Sequence, residues 1–317
     1  MPFDIPPINN QSSRRPGSIL HKREFCKEAA ADFPFLVPAA YLQKIERSGS
    51  PEALIRQVLP HPDELLDVTG YTANPLGETP GVDDGLIEKY NGRLLVMVTQ
   101  ACSGHCRFCF RRHLLGSPLK QEAIRSSFQR RMRENDDISE VILSGGDPLV
   151  LSDRRLKAWF ELIGQYRQVQ RIRIHTREPV FSPERFTPEL IAMFRDSPLP
   201  LVMAVHVNHA DELDQDSEDK LLQLHEAGVL LLTQTVLLKG VNDSTDTLTN
   251  LFERSVECGM LPYYLHQLDR VAGAAHFAVD EAKGLEIIET LRKRLPGYLL
   301  PRYVEEIPGK SSKLPVG

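Results

Sequence analysis

The chain has 317 residues, 41% of them hydrophobic and 26% charged, with a net charge of -5. That balance suits one large globular domain with an N-terminal extension, and it excludes any global attraction to nucleic acid or an anionic membrane. Five cysteines, three of them in one loop, do not form a disulfide framework, no apolar run is long enough to span a bilayer, and the start at Met1 lacks a basic-then-apolar leader pattern, so the expected compartment is the reducing cytoplasm.

Residues 1–86 are rich in proline and weakly periodic, with Phe33-Pro-Phe-Leu-Val-Pro38 and a short helix over Ala53–Leu59, ended by Pro60, as the best ordered stretches. This segment is expected to wrap the main domain, residues 87–317. From Leu94 apolar strand runs alternate with amphipathic helices. Strands are expected at Leu94–Thr99, Glu140–Ser144, Arg171–His175, Leu201–His206, Val229–Thr235 and Pro262–Gln267. The basic run Gln129-Arg-Arg-Met-Arg133 reads as a solvated helix end, since acidic residues follow at once. Thr187-Pro188-Glu189 signals a helix start, Gly228 and Gly259 are helix stops, and Leu285, Ile288, Leu291 and Leu295 mark a last helix before Pro296. The fold class is therefore α/β, an incomplete six-unit (β/α) barrel with an N-terminal wrapping segment and a C-terminal tail. Polar residues collect after the strands, at Cys102, Asp147, Arg177, Asn208, His209, Gln234 and Asp269, the end where such folds place chemistry. No Gly-x-Gly-x-x-Gly occurs, and Gly309-Lys310-Ser311 lacks the rest of a phosphate loop.

In Cys102-Ser-Gly-His-Cys106-Arg-Phe-Cys109 the spacing lets one tight loop aim three thiolates at one inorganic centre. A cubane iron-sulfur cluster held this way keeps one iron open for a small chelator. A structural zinc site, with His105 or His113 as fourth ligand, is the alternative. Phe108 is placed to shield the cluster or to stack on a base. In Ser144-Gly-Gly-Asp-Pro148, Gly145 and Gly146 permit close backbone approach and Asp147 offers an acceptor to a ligand amino group. His206 and Asn208 share one strand face and His209 the other, which argues against a metal site there and for hydrogen-bonding roles.

The cysteine run resembles the signature of the radical S-adenosylmethionine (SAM) enzymes, which implies a 4Fe-4S cluster whose open iron is chelated by SAM. A narrower resemblance, to the lysine 2,3-aminomutases, is carried by Lys89-Tyr-Asn-Gly-Arg93, Cys-Phe-Arg-Arg-His113, Arg173-Ile-His-Thr-Arg177, His206-Val-Asn-His209, Gln234-Thr-Val-Leu-Leu238, Gly-Val-Asn-Asp243, His266-Gln-Leu-Asp269 and Pro308-Gly-Lys-Ser-Ser-Lys-Leu-Pro315. Cys-Phe-Arg-Arg-His113 and Leu268-Asp-Arg-Val-Ala-Gly-Ala-Ala-His-Phe277 look most like the branch serving β-lysylation of elongation factor P. The resemblance implies that Lys313 holds pyridoxal 5'-phosphate (PLP) as a Schiff base, with Lys310 the competitor. It also implies that Arg93, helped by Lys89, binds the cofactor's phosphate, and that Arg177 and Gln234 are further contacts. By the same resemblance the glycine-rich segment with Asp147 meets the amino group of SAM, Arg111 pairs with the substrate's carboxylate, and Asp269 with Glu306 grips its distal ammonium. The family commonly has aspartate where Glu306 stands. A tail zinc site of longer relatives is not expected, because Ser244 stands at its cysteine position. The implied substrate is L-lysine, with an external electron donor and a functional link to elongation factor P and its lysyl-transferring enzyme. Two other readings remain: a zinc- or cluster-binding partner of the translation machinery without enzymatic activity, and a radical SAM enzyme without PLP.

Overall fold

The computed structural model describes residues 25–78, 85–115 and 120–317, Lys89's side chain excepted. Ahead of the sheet lie three short helices, α1 (Lys27–Asp32), α2 (Ala39–Arg47) and α3 (Pro51–Arg56). The sheet then begins with β1 (Leu86–Tyr90) and β2 (Arg93–Thr99), an antiparallel pair turned by Asn91 and Gly92. Gly92 sits at φ +73, which only glycine adopts without penalty. The motif Lys89-Tyr-Asn-Gly-Arg93 is therefore a hairpin turn and not merely the approach to a strand.

Six α/β steps follow: α4 (Gln121–Glu134), β3 (Glu140–Gly145), α5 (Asp153–Ile163), β4 (Arg171–Thr176), α6 (Glu178–Phe181), α7 (Pro188–Arg195), β5 (Leu201–His206), α8 (Gln215–Glu226), β6 (Leu230–Val236), α9 (Thr245–Glu257), β7 (Leu261–His266) and α10 (Glu281–Arg294). The six expected strands are β2 to β7. Two more close the order, β8 (Arg302–Glu305), parallel to β7, and β9 (Leu314–Pro315), antiparallel to β8. The nine strands run in sequence order across one sheet that does not close on itself.

Burial explains the strand patterns. β3 is buried at every residue and reads Glu-Val-Ile-Leu-Ser-Gly, as a central parallel strand covered on both faces should. In β4 the buried residues are Ile172, Ile174 and Thr176, while Arg171, Arg173 and His175 point to the other face. Helix starts follow capping chemistry: Thr187, Asp214 and Ser244 each accept a backbone N–H from the first turn of α7, α8 and α9. One hydrophobic core joins Tyr41, Ile45, Leu54 and Val58 of the N-terminal helices to Val96, Leu143, Ile174, Val205 and Leu265 of the sheet. Those helices thus pack on the barrel as part of its core. None of the described helices is long and apolar enough to cross a membrane.

Candidate active site

A cavity of about 500 Å³ opens where the parallel strands end. All three loop cysteines line it, together with Arg93, Phe108, Arg111, Gly145, Gly146, Asp147, Arg177, Gln234, Asp269, Glu306 and Lys313. Fourteen of the fifteen singled-out side chains or glycines thereby share one space, 102 to 313 in sequence apart from Arg93; the side chain of Lys89 lies outside the described residues.

The cysteine loop starts just beyond β2, and all three thiols are free. Burial pushes each thiol up, Cys109 to about 12, and for Cys102 and Cys109 the neighbouring sulfurs push further. Thiols pushed up in this way become thiolates only beside strong positive charge, which an iron cluster would supply. Neither histidine of the zinc alternative turns to them. His105 Nδ1 lies 2.8 Å from Pro34 O with its ring stacked on Phe33, and His113 Nε2 lies 3.4 Å from Ala272 O.

The N-terminal helices hold this loop from behind. Arg107, fully buried, forks onto Glu64 at 2.6 to 3.1 Å and donates to Phe33 O and Ala29 O. Arg112 adds a second guanidinium on Glu64 at 2.8 Å, and both arginines stack over the Phe33 ring at 4.7 Å. On the cavity side Arg177 Nη1 donates to Cys106 Sγ at 2.7 Å, while Nη2 meets Gln57 and Glu212. In this structure the terminal nitrogens of Arg177 thus meet the cysteine loop, Gln57 and a buried carboxylate. Burial works against the charge of Glu212, yet Arg177 and the Asn208 N–H hold its carboxyl below the usual value. Asn208 is a buried hub, donating to Gln57 Oε1 and accepting from the N–H of Val236, and His209 caps the turn that follows.

The glycine pair serves the chain's own packing. A Cβ on Gly145 would overlap Thr99 O and one on Gly146 would overlap Ala101 O, so only glycine lets the end of β3 lie against the start of the cysteine loop. Both Asp147 oxygens are engaged, by the Leu149 and Arg177 N–H groups and the Thr176 hydroxyl, and what this segment turns to the cavity beyond them is backbone. Burial still pushes Asp147 up to about 6. Phe108 packs edge-on to His206 and Phe277 and forms part of the cavity wall.

At the far end, Lys313 is half-buried and its Nζ donates to Glu306, with the Tyr264 ring 5.9 Å away. Lys310 is exposed and does not line the cavity. The longer side chain of Glu306 thus reaches the very lysine expected to carry a cofactor. Arg93, Arg173 and Arg302 line the same region, and the buried Nε of Arg173 has no partner among the described residues. Together with the primary amine of Lys313, this collection of cations suits a phosphorylated aldehyde. His206 and Gln234 are register neighbours on adjacent strands, as are Gln234 and Tyr264. Burial pushes His206 down to about 3 and holds His175 and His266 well below the usual range, so all three present neutral rings.

Several cavity residues had no role assigned from sequence: Arg173, His175 and His266, which stand within quoted motifs, and Glu78, Glu178 and Tyr264, which stand in none. For Arg173 and His175 a signal exists, since polar residues alternate with isoleucine along β4. Glu78 has none.

The radical SAM superfamily profile matches residues 96–251. The chain is 36% identical to an L-lysine 2,3-aminomutase of Escherichia coli (strain K12) over 90% of this chain and 83% of that protein. It is 37% identical to the L-lysine 2,3-aminomutase of Haemophilus influenzae, over 89% and 84%. Among solved structures, a radical SAM methyltransferase from Sphaerobacter thermophilus aligns with a TM-score of 0.46 at 18% identity, covering 69% of this chain and 68% of that one.

Proposed function

Because this chain belongs to the L-lysine 2,3-aminomutase family of radical SAM enzymes, we propose that it interconverts L-lysine and β-lysine with PLP as a second cofactor, in the cytoplasm, and that its product serves β-lysylation of elongation factor P. The radical SAM domain brings the 4Fe-4S cluster and SAM. In this reading residues 1–86 are the N-terminal extension and 87–317 the partial barrel, of which residues 25–78, 85–115 and 120–317 are described. When bound, cluster and SAM supply a radical that takes a hydrogen from the substrate's β-carbon, and PLP lends the migrating nitrogen a conjugated system that spreads the unpaired spin.

The chain's own residues bind, orient and exclude water. Cys102, Cys106 and Cys109 would hold the cluster, and Arg177, which donates to Cys106, would balance part of the thiolates' negative charge. Arg93 with Lys89, joined by Arg173, holds the phosphate, and Gln234 lies beside this group. Lys313 is the amine that tethers the aldehyde. Glu306, already paired with Lys313, can hold a proton at Nζ while that amine is exchanged for the substrate's, and can then turn with Asp269 to the substrate's distal ammonium. Arg111 takes the carboxylate. Gly145, Gly146 and Asp147 shape the backbone that meets SAM, and Phe108 walls off the cluster. Such a site works by contact and dryness, and the helices packed behind the cysteine loop hold that loop in place.

The observation that carries this reading is the shared cavity: the cysteine trio and Lys313 line one space together with Arg111, Asp269 and Glu306. Anaerobic protein reconstituted with iron, sulfide, PLP, SAM and a reductant should form β-lysine from L-lysine. Release of 5'-deoxyadenosine without β-lysine would refute it. Addition of that β-lysine to elongation factor P, read as a mass increase in the presence of the lysyl-transferring enzyme, tests the wider role.

A further inference from the structure

Arg111 already has a carboxylate partner inside the chain. Its Nε and Nη2 donate to the two oxygens of Glu78 at 2.8 and 3.0 Å, and Nη1 donates to Ser144 Oγ at 3.0 Å and, at the longer distance of 3.5 Å, to Gly145 O. The pair is buried, with side chains 9% and 7% exposed, and both residues line the cavity. We propose that Glu78 is a positioning residue for substrate recognition: it occupies the Nε–Nη2 edge of Arg111, fixes the guanidinium plane against Ser144, and leaves the Nη1–Nη2 edge to receive an amino acid's carboxylate. This rests on the reading of Arg111 given above and names what sets its geometry.

Three observations make Glu78 a fixed support and not a displaceable lid. Thr72 is bridged to Val271, its N–H donating to Arg270 O and its carbonyl accepting from Ala272 N, both at 2.9 Å. Asn74 to Gly77 form a turn closed by Gly77 N–H to Asn74 O, with Gly77 at φ +62 and Leu76 buried. The Asn74 amide then donates to Glu78 O at 2.9 Å, which pins the backbone that carries the carboxylate. Ordering a long arginine side chain costs rotamer entropy, and a forked partner on one edge meets much of that cost before the ligand arrives.

The test uses the full-length, anaerobically reconstituted enzyme. Glu78→Gln should raise the KM for L-lysine about tenfold, equivalent to about 1.4 kcal/mol, while the iron content and the inhibition constant of 1,5-diaminopentane, lysine without its carboxylate, stay unchanged. Glu78→Asp, which keeps the charge, should recover part of the lysine affinity. Arg111→Lys, run in parallel, should also raise the lysine KM. If Arg111→Lys raises it and Glu78→Gln leaves it level or lowers it, the positioning role is overturned and the reading of Arg111 stands. Should neither substitution move the lysine KM, Arg111 does not hold the carboxylate and both fall. Loss of iron or a parallel weakening of diamine inhibition in Glu78→Gln would make the residue merely structural and overturn the proposal.

Discussion

Glu64→Gln should unseat the cluster loop without touching any cavity residue. Its carboxylate is shared by two buried guanidiniums, Arg107 and Arg112, whose side chains are at most 1% exposed, as is its own. Removing its charge leaves two like charges close together in the interior, with Asp32, 3.6 Å from Arg112 and half-exposed, still paired to Arg112. Breaking a buried pair costs about 3–5 kcal/mol, a large share of a total stability of about 5–15 kcal/mol. With an unfolding entropy of about 2.1 cal/mol/K per residue over 317 residues, a loss of about 4 kcal/mol lowers Tm by about 6 °C. Calorimetry of the anaerobic protein, with iron and sulfide analysis, reads both effects. A melting point within about 2 °C of wild type and full iron content would show that the N-terminal helices do not brace the loop through Glu64.

Lys313→Ala should abolish the visible absorbance of bound PLP while keeping iron and sulfide, and Lys310→Ala should leave both intact; spectra of the two variants side by side decide which lysine is the tether. Asp269→Asn is expected to raise the KM for lysine at least tenfold, a charge-assisted hydrogen bond being worth about 1.5–3 kcal/mol, while SAM cleavage to 5'-deoxyadenosine still occurs; unchanged mutase kinetics would remove its assigned role. Glu178, buried beside Asp147 and bonded to Ser103, has its carboxyl pushed from 4.5 up to about 8 by burial and then by Asp147. The folded chain therefore holds this proton more tightly than the unfolded one, and the stability it contributes is full below pH 4.5 and falls as the pH rises toward 8. Glu178→Gln, which mimics the protonated form, should be close to wild type in denaturant at pH 5 and more stable than wild type at pH 8. Equal differences at both pH values would contradict that assignment.

The interior strands were legible because parallel strands covered on both faces read as apolar runs bounded by turn signals, and β2 to β7 fall within a residue or two of the expected places. What escaped was short or masked. β8 has four residues and β9 two, too few for any period to show, and α2 hides Tyr41, Leu42 and Ile45 behind the prolines that precede it. β1 carried a signal in Asn91-Gly92 that announces a hairpin. Site residues in motifs were visible in advance because chemistry fixes their type and spacing, as with the three cysteines. Asp147 and Arg177 were visible as polar residues at strand ends, but not their partners: only the fold brings Glu212 and Gln57 to Arg177, and Glu78 to Arg111 across 33 residues.

The most direct measurement follows the nitrogen itself. Reconstituted enzyme given L-lysine labelled with nitrogen-15 at the α-amino group should yield β-lysine with the label on the β-carbon, read by nuclear magnetic resonance of the purified product. Product whose β-nitrogen is unlabelled, or lysine returned with its label in place while SAM is consumed, would contradict the account.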